Sequence, residues 1–179
     1  NVSKVADMSE MFYGSNFNYD IYKWNISSVT TLTGMFRDNS LFNKSINTSV
    51  QIDGNDNKYL AWDVSIVTGL TNMFNKASNF NQPIDKWNTS NVGSMQGTFS
   101  NTSFNQRLSQ NDIDFTSDDL GSYTAWNTEK VTNMKQIFNK ASFNNGSIII
   151  DDNGKEQPSS NPTDFYWNTS SVTSFREAF

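Results

Sequence analysis

The sequence contains no cysteine and no histidine. The first absence excludes disulfides and thiolate metal sites, while leaving the redox compartment open. The second removes the commonest general base and the commonest metal ligand. Positive charge is also thin. The 13 basic residues are scattered and never adjacent, in a chain of net charge −5 and pI near 4.6. A nucleic-acid footprint needs a clustered basic face, and an anionic lipid surface needs the same, so neither is an expected partner. There is no membrane span, signal peptide or lipidation motif in these 179 residues. Any membrane association is expected through a lipid anchor outside this stretch, which reads as part of a longer protein.

What is abundant is asparagine, serine and threonine, together with 14 phenylalanines. Polar amide-rich sequence with regularly spaced aromatics suits a repeat array with a thin core. The register is explicit. Trp24, Trp62, Trp87, Trp126 and Trp167 each stand five residues before a valine: Val29, Val67, Val92, Val131 and Val172. Those valines, and Val5, are each followed seven residues later by Phe12, Phe36, Phe74, Phe99, Phe138 or Phe179. The cleanest copy runs 25 residues, from Val67 to the residue before Val92. The whole chain, 1–179, reads as one domain of copies at about 5–28, 29–66, 67–91, 92–130, 131–171 and a partial 172–179.

Each copy divides by period. Apolar residues fall three, six and seven positions after the valine, as Leu70, Met73 and Phe74 do after Val67. That is helical spacing over about two turns, with Thr68, Thr89, Ser90 or Thr132 placed to cap such a helix. The following Phe-Asn-x-x-Ile or Leu segment is short and extended. It offers one strand per copy to a narrow parallel sheet. The expected fold is therefore an α/β repeat solenoid, with a short helix and a short parallel strand in each copy of about 25 residues. The five tryptophans and the phenylalanines seven residues after valine form its core. Asn18, Asn43, Asn81, Asn105 and Asn144 follow the second phenylalanine. They are expected to stack as an internal ladder rather than as a binding stripe.

Three copies carry insertions, at 47–61, 109–125 and 149–166. Insertions in repeat arrays map to loops on one face, often the binding face. Ser49 to Ile52, an Asp53-Gly-Asn-Asp-Asn turn and Lys58 to Trp62 read as strand, turn, strand. Ser147 onward begins in the same way and loosens around Pro158 and Pro162. The 109–125 insertion reads as an acidic, turn-rich segment.

The V-T-x-M/L, M-F and W-N-T-S-x-V cassettes recur in register outside the insertions. They resemble the DUF285 repeat, also described as a BspA-like leucine-rich-repeat variant of mycoplasma surface lipoproteins and wall-anchored bacterial proteins. The resemblance implies a leucine-rich-repeat-like solenoid, exposure at the cell surface by an anchor outside this stretch, and adhesion or host interaction. It supplies no catalytic residues. Gly93 and Thr98 depart from the usual Thr and Met, and the insertions depart from a uniform array.

Candidate chemistry is sparse. Asp53, Asp56, Asp151 and Asp152 sit in oxygen-rich loops that lack the EF-hand register, and Asp-Gly is an ordinary hairpin turn. Paired carboxylates for glycoside hydrolysis are not established by any spacing. No enzyme activity, cofactor or metal is expected. The sequons at Asn25, Asn88 and Asn168 belong to the repeat itself. The partner-binding candidates are Asp53, Tyr59, Phe115, Tyr123, Phe165 and Tyr166. Tyr59, Tyr123, Phe165 and Tyr166 either anchor a partner or pack beneath the insertions. The expected function is a non-catalytic surface module that binds a protein, host or same-cell, through its insertions. The alternative is an assembly element that self-associates through its ends.

Overall fold

The computed structural model describes residues 2–108, 110–143, 148–150, 156–158 and 167–179. Successive copies stack on one another. Asp7, Thr31, Gly69, Ser94, Asn133 and Ser174, each two residues after its valine, bridge in parallel to their counterparts in the neighbouring copies. The parallel ladder is one residue wide in every copy.

The expected helices are absent, which overturns the α/β, leucine-rich-repeat-like solenoid reading. Among the described residues the helical structure is a single 3₁₀ turn at Thr116–Asp118. The physical reason lies in where alternate backbone N–H groups point. In the second copy, the N–H groups of Leu32, Gly34, Phe36 and Asp38 donate to the Gly69, Thr71, Met73 and Asn75 carbonyls of the next copy. The intervening Met35, Arg37 and Asn39 N–H groups donate three residues back, to Leu32, Gly34 and Phe36. An α-helix would need every N–H to bond within its own segment. Here half of them leave it. The left-handed conformation recurs five and nine residues after the valine, at Gly34, Asp38, Asn72, Lys76, Gly97 and Asn101 among others. Each such residue costs about 1–2 kcal/mol unless it is glycine, and each interrupts any helix. The three-six-seven spacing is real but comes from consecutive tight turns, whose side chains also return to one face.

The Ser and Thr residues read as helix caps do different work. The Thr68 and Thr132 N–H groups donate to the Thr30 and Gly93 carbonyls at 2.9 Å, and their hydroxyls donate to the same oxygens at 3.2 and 3.1 Å. Thr89 donates its hydroxyl to the Asn127 carbonyl at 2.7 Å, and the Ser90 N–H is bonded by the Asn88 side chain. The V-T pair is thus an inter-copy clamp. Thr98, the departure in copy four, is fully buried, with its hydroxyl 2.9 Å from the Leu70 carbonyl and 2.8 Å from that of Met95.

Among the described residues the expected parallel strands at Phe-Asn-x-x-Ile are also absent. The link there is made by side chains. Asn18, Asn43 and Asn81 each accept, through Oδ1, the backbone N–H of the next asparagine, Asn43, Asn81 or Asn105, at 2.8–3.0 Å. An amide oxygen occupies the place a strand partner's carbonyl would take. Asn144 lies outside the described residues.

The core is a set of ring ladders. Phe12, Phe36, Phe74, Phe99, Phe138 and Phe179 stack at 5.5–5.8 Å between copies. Phe17, Phe42, Phe80, Phe104 and Phe143 form a second column, 3.7–4.3 Å from the first within each copy. Trp62, Trp87, Trp126 and Trp167 form a third column. Offset ring pairs contribute about 0.5–1.5 kcal/mol each beyond the area they bury. Phe80→Ala, at a fully buried position between Phe42 and Phe104, is expected to destabilise the chain by about 3–5 kcal/mol in urea titration. The same change at the partly exposed Phe17 should cost clearly less. Equal losses would contradict a nearest-neighbour ladder.

Candidate functional site

Among the described residues the strands lie in or at the edge of the insertions, each as part of a two-stranded antiparallel hairpin. β1 (Ser49–Ile52) pairs with β2 (Lys58–Ala61) in the second copy. β3 (Asn111–Asp114) pairs with β4 (Ser122–Ala125) in the fourth, and β5 (Ile148–Ile150) with β6 (Glu156–Pro158) in the fifth. The 109–125 segment is therefore a hairpin, where only an acidic turn region was expected. Its signal was the alternation Asp112-Ile113-Asp114-Phe115. Ile113 and Phe115 are buried, and Asp112 and Asp114 are exposed.

The first two hairpins are anchored alike. Tyr59, on β2, donates its hydroxyl to the Lys23 carbonyl at 2.7 Å, and Tyr123, on β4, donates to the Lys86 carbonyl at 2.5 Å. Lys23 and Lys86 each precede the tryptophan of a copy with no insertion. Each hairpin thus folds back over the short corner of the copy before it. Both tyrosines are half-buried and pack beneath their insertions. Phe115 is 9% exposed and lies 6.2 Å from the Tyr123 ring, so it adds to the hairpin's base. Phe165 and Tyr166 lie outside the described residues. The two hairpins meet across copy three through Lys58 and Asp118, 2.8 Å apart, and that carboxylate holds the Lys58 ammonium above its usual pKa.

The first two hairpins each return to the stack at a tryptophan in the left-handed conformation, Trp62 at φ 51° and Trp126 at φ 50°. Both indole N–H groups are anchored. Trp62, Trp87, Trp126 and Trp167 donate to the Ile21, Ile46, Ile84 and Leu108 carbonyls of the preceding copy at 2.8–2.9 Å. The residue after each tryptophan accepts a backbone N–H two positions on, whether it is Asn25, Asp63, Asn88, Asn127 or Asn168. This Asx turn explains the W-N pair and its one aspartate. Sequence reading missed it, although the shared side-chain oxygen of Asn and Asp was a legible clue.

Asp53 organises the first hairpin's tip. Its Oδ1 accepts the N–H groups of Asn55 at 2.8 Å and Asn57 at 3.0 Å. Those bonds hold its carboxyl below the usual aspartate range. A cleft of about 310 Å³ lies between this hairpin and the first copy, with Trp24, Asn25, Lys23, Asp53 and Tyr59 on its walls. A second, shallower groove of about 450 Å³ runs along β3 and β4 beside Asp112, Asp114 and Thr124.

Burial pushes the Tyr123 phenol up to about 12, against a pull down from Thr48 and with help from Asp63 and Asp85. An unfolded tyrosine ionises near 10, so this group favours unfolding as pH rises. Stability should be intact below pH 10 and decline from there toward about 12. Tyr123→Phe is expected to flatten that alkaline decline in pH-dependent urea titrations, whereas Tyr13→Phe, on an exposed side chain, should leave it in place.

The sequence matches the family described as "Mycoplasma protein of unknown function, DUF285" over residues 1–110, 47–152 and 115–179. No curated protein and no solved structure matches it. The three overlapping matches together span the chain, and the repeated tryptophan, valine and phenylalanine register runs through all of them. The chain belongs to the DUF285 family.

Proposed function

We propose that this chain is a non-catalytic binding module, displayed at a cell surface, that contacts a protein partner through its hairpins. The observation that carries the reading is the placement of the two described hairpin tips. Both leave the stack at the same corner, directly before a tryptophan, and Lys58 and Asp118 join them over copy three. The copies themselves spend their side chains on one another. The hairpins expose groups that the stack does not use, including Ile52, which is 63% exposed, and the carboxylates of Asp112 and Asp114. With Tyr59 and Tyr123 directed into the stack, contact would fall to these tip and outer-face residues rather than to the tyrosines.

A second reading, an assembly element, is favoured by exposure at the two terminal copies. Met11 at one, and Phe175 and Phe179 at the other, are 46–77% exposed, while their interior counterparts are buried. The two readings separate experimentally. Replacing 47–61, 109–125 and 149–166 by two-residue links, as in copy three, is expected to leave a folded stack that no longer attaches to intact animal cells in a labelled-protein binding assay. Retained attachment would sink the hairpin reading. Concentration-dependent mass in light scattering, unchanged by those replacements, would favour assembly.

A further inference from the structure

The first two hairpins are turned toward each other. Residues directly opposite in an antiparallel pair share a face, and so do residues two apart along a strand. In the first hairpin Val50 pairs with Leu60 and Ile52 with Lys58, so these four share one face. Lys58 on that face reaches Asp118 of the second hairpin at 2.8 Å, while Tyr59, on the other face, bonds the Lys23 carbonyl of copy one. The second hairpin turns the opposed pair Ile113 and Tyr123 the other way, with the tyrosine hydroxyl on the Lys86 carbonyl of copy three. The two apolar faces thus look at each other across the short copy. Ile113 is buried, and Val50 and Leu60 are half-buried against the core. The row ends in the open. Ile52, the next residue on that face after Val50, is 63% exposed.

A lone exposed isoleucine is ordinary. The surroundings of this one are not. Segments 47–61 and 109–125 together hold six aspartates, one lysine and no arginine, a net −5 that equals the net charge of the whole chain. The single lysine is Lys58, and Asp118 occupies it. Asp56 at the first tip and Asp119 beside Asp118 have no ion-pair partner among the described residues. Asp119 also helps Asp118 to hold the Lys58 ammonium above its usual pKa, which places its charge at the same mouth. A second copy of this chain would bring like charge to that mouth, and an anionic lipid or nucleic acid would be repelled in the same way. No group of three metal-ligating side chains stands together among the described residues.

We propose that the mouth between the two hairpins, around Ile52, receives a basic partner protein, whose contacting segment presents an apolar side chain flanked by lysine or arginine. The apolar side chain packs on Ile52 beside the Lys58 stem, and its basic neighbours approach Asp56 and Asp119. An apolar centre with a charged rim is how a protein interface divides its contacts. The net charge of the hairpins draws a basic surface from a distance, so association weakens as salt rises. The inference rests on the hairpin-binding reading above and adds to it the chemistry of the partner.

The test pans the whole chain against a phage-displayed library of random peptides and measures the recovered peptides by titration in solution. They are expected to carry lysine or arginine beside a large apolar residue and to bind less tightly at higher salt. Ile52→Ala should weaken them by about tenfold. Asp56→Asn combined with Asp119→Asn should weaken them several-fold. Both positions hold left-handed backbone, which asparagine also adopts. An equal charge change on the stack, Asp20→Asn with Glu129→Gln, should leave affinity unchanged, as should Ile66→Ala at another exposed isoleucine. Thermal melts check that each variant is folded. Failure to recover any peptide, recovery of acidic or purely polar ones, or affinity unmoved by both Ile52→Ala and the paired aspartate change would overturn the assignment. Should peptides of the wrong chemistry lose binding when the insertions are replaced by two-residue links, the hairpin reading survives and only this assignment falls. Should they bind the linked stack equally well, both fall.

Discussion

The structure depends on how each copy divides its backbone N–H groups. Alternate donors close tight turns within the copy, and the rest reach the next copy's carbonyls, as at Leu32, Gly34, Phe36 and Asp38. Neither set alone fixes the chain. A copy without its neighbour would leave about half of these donors bonded only to water and would bury none of its rings. Several other recurring contacts repeat this dependence. Threonine clamps, asparagine links and tryptophan N–H bonds all run from one copy to the next. The chain is therefore cohesive along its stacking direction, and an interior copy has no stable existence by itself.

The hairpins obey the same logic one level up. A two-stranded hairpin alone is marginal in water. The first two avoid this by laying a tyrosine hydroxyl on the backbone of the preceding short copy. Their re-entry through Trp62 and Trp126 in the left-handed conformation is tolerated because each indole is buried and bonded. Packing against the stack thus fixes the inner face of each hairpin and leaves its outer face and tip for other contacts.

Much of this was legible in the sequence. The tryptophan, valine and phenylalanine register marked the positions whose rings fill the interior of the middle copies, such as Phe36, Phe74, Trp62 and Trp87, because buried rings in a stack must recur at fixed intervals. The first insertion's strands were legible because Asp53-Gly54 sits between two β-prone runs. The helix was misread for a specific reason. Periodicity reports which side chains share a face, not the handedness of the turns between them, and the left-handed residues at these turns include Asp38, Asn72 and Lys76 as well as glycine. The parallel strand was misread because an asparagine side chain imitates a backbone acceptor. The cleft at Trp24 was hidden as well. Nothing local to Trp24 distinguishes it from its repeats, and its exposure follows from its place in the first copy, with no earlier carbonyl among the described residues to receive its indole N–H.

The alternating turns have a consequence for how such a chain registers to an observer. Its backbone is closely bonded and its interior is filled by aligned rings, yet the described residues hold almost no helix and only short strands. Far-ultraviolet spectra, which weigh regular peptide geometry, would rank it beside unstructured chains. Amide exchange, which weighs bonding, would rank it with compact ones. Order here is a property of repetition between copies rather than of regular secondary structure within them.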